Sequence, residues 1–262
     1  QNKRDHVKAP GEYAKIMLPE LTFPYLIPGQ EVLLDDGKIH LKIVEKAENV
    51  TENGGENTQG KRYFAKVLWG GLLKSRKSAA LPGAKIYPPT LTNSDLANIK
   101  IAKEMGVTGV MQPFVRDHSD LECVKEALRE AGAEDIRLFA KIENMDGVRK
   151  LEKLLPAADE IVIARGDLGN AVHLWDLPGV QRQISEKCRA AGKPFMVVTQ
   201  MLASMERSPV PTRAEVNDIF HAVMDGAASI MVTGETAVGD YPVEVIRYMV
   251  NTVISAEKEE NR

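Results

Sequence analysis

Short apolar runs alternate with helical segments from residue 93 to residue 260, and this alternation limits the possible fold more than any other feature of the sequence. Five runs have the length and composition of buried strands: GVMQPF, LFAKI, EIVIA, PFMVV and SIMVT. Between them lie segments with helix start and stop signals, such as Ser119 before DLECVKEALREAG and Gly192 after the segment from Pro178 to Ala191. Strands that alternate with helices form a parallel sheet, because each helix carries the chain back across a face of the sheet. The sequence therefore predicts an α/β fold with about five βα units.

Residues 1–83 have a different pattern, in which β-rich runs are separated by loops. The runs are KIMLPEL, QEVLL, KIHLKIVEKAENV and KRYFAKVLWGG, and Asp36-Gly37 between the second and the third is a hairpin signal. We therefore predict a small β-rich domain over residues 1–83 and a (β/α) domain over residues 84–262. The segment KSAALPGAKIYPP is interpreted as the strand that returns the chain to the second domain.

Composition excludes several classes of function. The formal net charge of the 262 residues is −3, so no basic surface for nucleic acid is expected. No apolar run approaches membrane-spanning length, and we expect no membrane partner. The two cysteines, Cys123 and Cys188, are isolated and lack metal-ligand spacing, which is typical of a protein of the reducing cytoplasm.

Charged residues follow two neighbouring strands of the predicted sheet. Lys141 and Glu143 end one strand two residues apart and therefore share a face. Residues 165–169, RGDLG, form a turn that can present backbone N–H groups to an anion, as at the start of a helix. Glu143 and Asp167 are hard oxygen donors suited to Mg²⁺, and Lys141 can offset the charge of a phosphoryl group. On spacing alone, a buried ion pair of Lys141 with Glu143 and a helix-capping role for Asp167 explain the same residues equally well.

Five longer segments resemble the catalytic barrel of pyruvate kinase. In chain order they are KIEN, DEIVIARGDLG, AGKPFMVVTQMLASM, PVPTRAEVNDIFHAVMDGA and TGETAVGDYPVE. The resemblance implies a (β/α)₈ TIM-type barrel with a small β-barrel lid domain, whose later strands GQEVLLDDGKIHLKI resembles. No segment resembles the N-terminal barrel strands or the C-terminal regulatory domain of the family. We expect the remaining three barrel strands to lie on residues outside this sequence.

The resemblance also implies roles for individual residues. Lys141 would lie near the transferring phosphoryl group, and Glu143 and Asp167 would be the magnesium ligands. Thr199 would hydrogen-bond the substrate and lie near the group that delivers a proton to it. The backbone around Ala164, Gly166 and Asp167 would bind the substrate carboxylate. In the lid, Asp36 would contact the metal of the nucleotide.

The implied reaction is Mg²⁺-dependent transfer of phosphate between phosphoenolpyruvate and ADP, which yields pyruvate and ATP, in a homo-oligomer. Two alternatives remain open: a lyase or decarboxylase that acts on pyruvate or oxaloacetate through the same enolate site, and a non-catalytic phosphoenolpyruvate-binding protein. A K⁺ requirement is also left open, because Pro113 stands where the family usually has a serine that helps to bind the monovalent cation.

Three other charged residues are interpreted as structural or supporting. Arg165 is expected to pair with a nearby acid, and Glu215 to form a capping box with Thr212 at the start of a helix. Glu235 either supports the site or neutralises Arg213.

Overall fold

A computed structural model describes residues 14–35, 37–47, 62–75, 77–84 and 86–260. The chain divides into two compact units, Gln1–Pro88 and Pro89–Arg262. The strands are β1 (Glu31–Leu34), β2 (Ile39–Ala47), β3 (Arg62–Trp69), β4 (Ala79–Ala80), β5 (Gly109–Gln112), β6 (Arg137–Ile142), β7 (Glu160–Ala164), β8 (Phe195–Val198) and β9 (Ser229–Met231). The α-helices are α1 (Asn93–Ala102), α2 (His118–Glu130), α3 (Met145–Arg149), α4 (Leu151–Leu154), α5 (Arg165–Ala171), α6 (Leu177–Ala190), α7 (Arg213–Met224), α8 (Gly234–Ala237) and α9 (Pro242–Glu260).

The first unit contains an antiparallel sheet with the strand order β3-β2-β1-β4. Strands β1 and β2 form the predicted hairpin, in which Leu34 lies opposite Ile39 and the Lys38 N–H donates to the Asp35 carbonyl at 3.1 Å. Alternate residues of the hairpin point into a small apolar core, because successive side chains of a strand face opposite sides of the sheet. The buried members of this core are Leu26, Val32, Leu34, Ile39, Leu41, Ile43 and Leu81.

Two strand predictions in this unit are wrong. The segment KIMLPEL contains no strand. Its last residues begin a 3₁₀ helix, Glu20–Tyr25, which is preceded by Pro19 and contains Pro24. A proline has no N–H to give to a sheet, and its fixed φ favours turns. Among the described residues of the segment KSAALPGAKIYPP, only Ala79–Ala80 form a strand, and they pair with β1.

The second unit contains a parallel sheet in which each strand lies beside the next one along the chain. The order is β5-β6-β7-β8-β9, with helices in the connections. The central strand β7 is buried along its whole length, as expected for a strand covered on both faces. The predicted α/β class and the five βα units are thereby confirmed.

Helix boundaries follow local capping. Helix α7 begins with the predicted capping box, in which the Thr212 hydroxyl accepts from the Glu215 N–H and the Glu215 carboxylate accepts from the Thr212 N–H. Helix α2 begins two residues earlier than predicted, because Asp117, not Ser119, is the cap and accepts from the Ser119 N–H at 3.0 Å. The single helix predicted for GVRKLEKLL is divided at Lys150 into α3 and α4. None of the helices in the described ranges is long and apolar enough to cross a membrane.

The two cysteines lie in different environments. Cys123 on α2 is exposed, and Cys188 on α6 is buried in the core of the second unit; both are free thiols. Burial raises the pKa of the Cys188 thiol to about 12, because a thiolate would lose its hydration there. Cys188 is therefore a packing residue.

Gly147 lies in the first turn of α3, where the helix closely approaches the backbone before α2. A Cβ at this position would lie 2.6 Å from the Val115 carbonyl oxygen. We expect Gly147→Ala to lower the free energy of unfolding by roughly 2–3 kcal/mol, because backbone must move to relieve the overlap. Denaturant unfolding followed by circular dichroism measures this change. Gly179→Ala is the matched control, because nothing lies within 4 Å of its added Cβ; we expect that helical position to gain up to about 1 kcal/mol. Equal effects at the two positions would contradict the close approach.

A buried carboxylate ties α2 to the segment that follows β5. Asp120, only 3% exposed, accepts hydrogen bonds from the Thr90 hydroxyl at 2.5 Å, from the Arg116 N–H at 2.8 Å and from the Arg116 guanidinium at 2.6 and 3.1 Å. Burial by itself would raise the pKa of Asp120, but these hydrogen bonds outweigh it and lower the pKa to about 2.

The lowered pKa of Asp120 predicts acid sensitivity. The ionised carboxylate stabilises the fold above pH 3.8, its usual pKa, and this contribution is lost as the pH falls toward about 2. A pKa difference of this size corresponds to about 2 kcal/mol. We expect Asp120→Asn to lose about that much stability at pH 7 and to flatten the fall in stability between pH 4 and pH 2, as measured by urea unfolding at several pH values. Glu122→Gln on the same helix, exposed and in surface ion pairs, is the control and should keep the wild-type pH profile. An unaltered acid profile in Asp120→Asn would refute this role.

Candidate active site at the carboxyl ends of the parallel strands

The register of the sheet aligns the ends of β6, β7 and β8. Ile142 pairs with Ile163 of β7, and Ala164 pairs with Val198 of β8. The chain segments that follow these strands therefore leave the same edge of the sheet side by side. In barrels of parallel strands, this is the edge at which substrates bind.

Lys141 and Glu143 form an ion pair at the end of β6, with the Lys141 Nζ 2.8 Å from the Glu143 Oε1. The Glu143 side chain is 3% exposed and that of Lys141 is 25% exposed. The other carboxylate oxygen, Oε2, accepts the Phe114 N–H at 2.7 Å. Phe114 has a φ of +53°, a left-handed conformation uncommon for a bulky residue, which turns its N–H toward Glu143. The pair thus presents a fixed carboxylate and a partly accessible ammonium group.

The predicted turn at residues 165–169 is the first part of α5. Its cap is Ala164, and no side chain caps the helix. Asp167 lies in the first turn of the helix, and Ala164 rather than Asp167 occupies the cap position. The first N–H groups of any helix, here including those of Gly166 and Asp167, lack partners within the helix.

Thr199 and Gln200 follow β8 with φ values of +84° and +56°. Two consecutive left-handed residues without glycine are strained, and strain of this kind clusters at functional sites. A Cβ on Gly166 would lie 3.2 Å from the Thr199 Cγ2, so the absence of a side chain there makes room for Thr199. The Thr199 side chain is half-buried, and within the described residues its hydroxyl has no hydrogen-bond partner.

Arg165 pairs with an acid, as expected from the sequence. Its Nη1 lies 2.8 and 2.7 Å from the two carboxylate oxygens of Asp218 on α7. Its Nε and Nη2 donate to the Thr199 carbonyl at 3.2 and 2.7 Å. The Arg165 side chain, which is 13% exposed, therefore joins α5, the end of β8 and α7.

Glu235 is 2% exposed and accepts the Leu202 N–H at 3.2 Å and the Thr233 N–H at 2.8 Å. It therefore supports the loop after β8 and the end of β9. No ion pair with Arg213 is present in the described part of the chain. The interpretation that Glu235 supports the site agrees with this geometry, and neutralisation of Arg213 does not.

Asp36 lies outside the described residues. Its neighbour Asp35 has a φ of +49° and lies 2.9 Å from the Lys77 Nζ. The hydrogen bond from Lys77 is the main cause that lowers the pKa of Asp35. The hairpin tip therefore carries a carboxylate that stays ionised at neutral pH.

The residue types at the strand ends suit Mg²⁺. Glu143 and Asp167 supply carboxylate oxygens from neighbouring strand ends, and each Glu143 oxygen keeps a lone pair beyond its hydrogen bond. Within the described residues no group of three or more His, Cys, Asp or Glu side chains could hold a metal. Two carboxylates are nevertheless enough for Mg²⁺, which keeps several waters and takes further oxygens from the substrate.

Two of the contacts that shape the site could not be read from the sequence. Asp218 is separated from Arg165 by 53 residues, and its only signal was an acid one helical turn after Glu215. The Phe114 N–H depends on a left-handed φ that no local glycine or asparagine indicates.

Parallel strands in sequential order that alternate with helices, with charged residues collected at the carboxyl ends, are the arrangement found in the (β/α)-barrel class of proteins. A sequence model described as the barrel domain of pyruvate kinase matches residues 7–246, and the chain belongs to the pyruvate kinase family. This confirms the resemblance carried by the motifs.

Individual relatives agree with this assignment. Pyruvate kinases of Bacillus licheniformis and Geobacillus stearothermophilus are 38% identical to the chain over 88% and 91% of its length. The pyruvate kinase of Chlamydia pneumoniae is 36% identical over 92% of the chain. These matches cover 38%, 40% and 48% of the respective relatives, so the chain spans less than half of their length.

Proposed function

We propose that the chain carries the enolate and metal portion of a pyruvate kinase active site, which transfers phosphate between phosphoenolpyruvate and ADP with Mg²⁺. The observation that carries this proposal is the Lys141–Glu143 pair, 2.8 Å apart at the end of β6. A lysine beside a metal-binding carboxylate places a mobile positive charge where a phosphoryl group would leave. An enolate lyase has less need of such a cation, so this pair favours the kinase.

Each group of the protein has its own role in the proposed reaction. The Lys141 ammonium stabilises negative charge on the transferring phosphoryl group. The backbone around Ala164, Gly166 and Asp167 binds the substrate carboxylate, because exposed N–H groups at a helix start attract anions. The Thr199 hydroxyl, or a water bound to it, hands a proton to the enolate carbon of pyruvate. Its lack of another hydrogen-bond partner in the described structure leaves it available for this task.

Glu143 and Asp167 would hold the Mg²⁺, which neutralises negative charge on substrate oxygens when bound. Pro113 carries no hydroxyl that could bind a monovalent cation, so activity is to be measured both with and without K⁺.

We further propose that the antiparallel unit is part of a lid, in which Asp36 contacts the metal ion bound to the nucleotide. Residues 1–83 would form this lid portion and residues 84–262 the barrel portion, of a homo-oligomer. The free thiols Cys123 and Cys188 support a cytoplasmic location.

The testing experiment is a coupled assay of pyruvate formation from phosphoenolpyruvate and ADP with Mg²⁺, with and without K⁺. The longest natural form of the chain is used. Pyruvate that forms only when ADP is present supports the kinase. Absence of turnover, together with Mg²⁺-dependent binding of oxalate, a mimic of the pyruvate enolate, would overturn the kinase and favour a lyase or a binding protein that uses the same pocket.

A further inference from the structure

We propose that Arg165 and Asp218 are a positioning pair that sets the direction of the Thr199 hydroxyl. This inference rests on the proposed function, because it concerns the residue proposed to serve the proton transfer. It assigns a task to two residues that touch neither substrate nor metal in the scheme above.

Thr199 has a conformation that its own chemistry does not favour. Threonine is β-branched, and a φ of +84° brings its Cβ close to neighbouring backbone atoms. Gln200 continues the left-handed path with a φ of +56°. Such a conformation persists only where surrounding contacts hold it.

Arg165 supplies these contacts. Its Nη2 and Nε donate to the Thr199 carbonyl at 2.7 and 3.2 Å, and Nη2 lies 2.8 Å from the Met201 Sδ. The guanidinium thus contacts the residue before Gln200 and the residue after it. Because the carbonyl is fixed, the peptide plane after Thr199 is fixed, and the side chain on the same Cα is turned accordingly.

Asp218 fixes the guanidinium in turn. Both of its oxygens lie within 2.8 Å of Nη1, so that the planar group cannot rotate freely about its bond to the side chain. Asp218 lies on α7, whose start is anchored by the Thr212–Glu215 capping box. The position of Thr199 is therefore restrained by contacts from two helices, α5 and α7.

The third restraint is steric and comes from Gly166. A Cβ there would lie 3.2 Å from the Thr199 Cγ2 and 3.7 Å from its Oγ1. The Thr199 side chain is thus held against the start of α5, beside the backbone proposed to bind the substrate carboxylate. Arg165, the neighbour of Gly166 in sequence, holds the Thr199 backbone while Gly166 limits its side chain.

Asp218→Asn tests the pair, because it removes the charge and keeps the shape. Exchange of the methyl protons of pyruvate with D₂O, followed by ¹H NMR with Mg²⁺ present, reports the proton transfer directly. We expect an exchange rate about 10- to 100-fold lower with an unchanged KM for pyruvate, because small misplacements of reacting groups have effects of this size. Arg165→Lys should behave similarly, since a single ammonium nitrogen cannot reproduce the planar fork that contacts the carbonyl and the carboxylate from different nitrogens. Asp240→Asn, which breaks the exposed Arg207–Asp240 pair of 2.7 Å, is the matched control and should keep the wild-type rate.

The decisive comparison places Asp218→Asn in a Thr199→Val background. If the pair acts through Thr199, the Asp218 substitution has no further effect there, because the group that it positions is already gone. Multiplicative effects of the two substitutions would overturn the proposal, since they would mean that Asp218 acts by another route.

A spectroscopic reading separates this inference from the proposed function. Spectra of the protein with ¹³C-labelled threonine methyl groups contain a Thr199 signal, identified by its loss in Thr199→Val. We expect Asp218→Asn to shift this signal and Asp240→Asn to leave it in place. An unmoved Thr199 signal in Asp218→Asn would overturn the positioning pair. Lack of pyruvate exchange in the wild-type protein, together with a shifted signal in Asp218→Asn, would count against the proposed function alone.

Discussion

Lys141→Met is expected to lower the rate of phosphoryl transfer from phosphoenolpyruvate to ADP by a factor of about 10²–10³ or more. Methionine keeps an unbranched apolar stem like that of lysine and removes the charge proposed to face the phosphoryl group. The Glu143 carboxylate, 3% exposed and left without its 2.8 Å partner, should bind Mg²⁺ at least as tightly as before. Turnover is measured with the coupled pyruvate assay, and Mg²⁺ binding by calorimetry.

Lys153→Met is the control for this substitution, because Lys153 is exposed on α4. It should leave turnover and Mg²⁺ affinity unchanged. Wild-type turnover in Lys141→Met would sink the role given to Lys141. A loss of Mg²⁺ affinity in that variant would instead mean that the lysine organises the metal site.

Glu143→Gln is expected to weaken Mg²⁺ binding by a factor of about 10² or more and to abolish turnover at ordinary metal concentrations. Glutamine has nearly the same shape, and its amide oxygen can still accept the Phe114 N–H that glutamate accepts at 2.7 Å. The substitution therefore removes the charge with little change in packing. Calorimetric titration with Mg²⁺, with and without oxalate, measures the loss.

Glu152→Gln serves as the matched control, because it breaks only a surface ion pair with Lys187. Its Mg²⁺ affinity and turnover should equal those of the wild type. If Glu143→Gln retains wild-type Mg²⁺ affinity, the carboxylate is no ligand, and its ion pair with Lys141 is structural.

The parallel sheet could be predicted from the sequence because its signal is local. EIVIA and PFMVV are continuous apolar runs, and β7 and β8 are buried along their whole length. The hairpin and the Thr212–Glu215 capping box were predicted for the same reason, since each is specified by residues close together in the chain. The errors lie where distant contacts decide. Ala79–Ala80 have no intrinsic preference for one sheet, and pairing with Leu33 and Leu34 decides between them.

In the candidate site, too, local features could be predicted and features that depend on distant contacts could not. The residue types at the strand ends could be identified from their positions after apolar runs, and the register brings those ends to one edge. The hydrogen bonds that orient them could not, because they depend on backbone conformation. The left-handed φ of Phe114 and Thr199 contradicts what either residue prefers alone, so only the folded surroundings reveal it.

The different exposure of the two cysteines allows thiol labelling to report local opening of the fold. A thiol reagent should modify exposed Cys123 at once, whereas Cys188 reacts only while α6 is detached from β7. The rate of the slow labelling phase therefore reports how often α6 separates from the sheet. Substrate or Mg²⁺ bound at the carboxyl ends of the strands would lower the labelling rate of Cys188 if the two ends of the sheet open together.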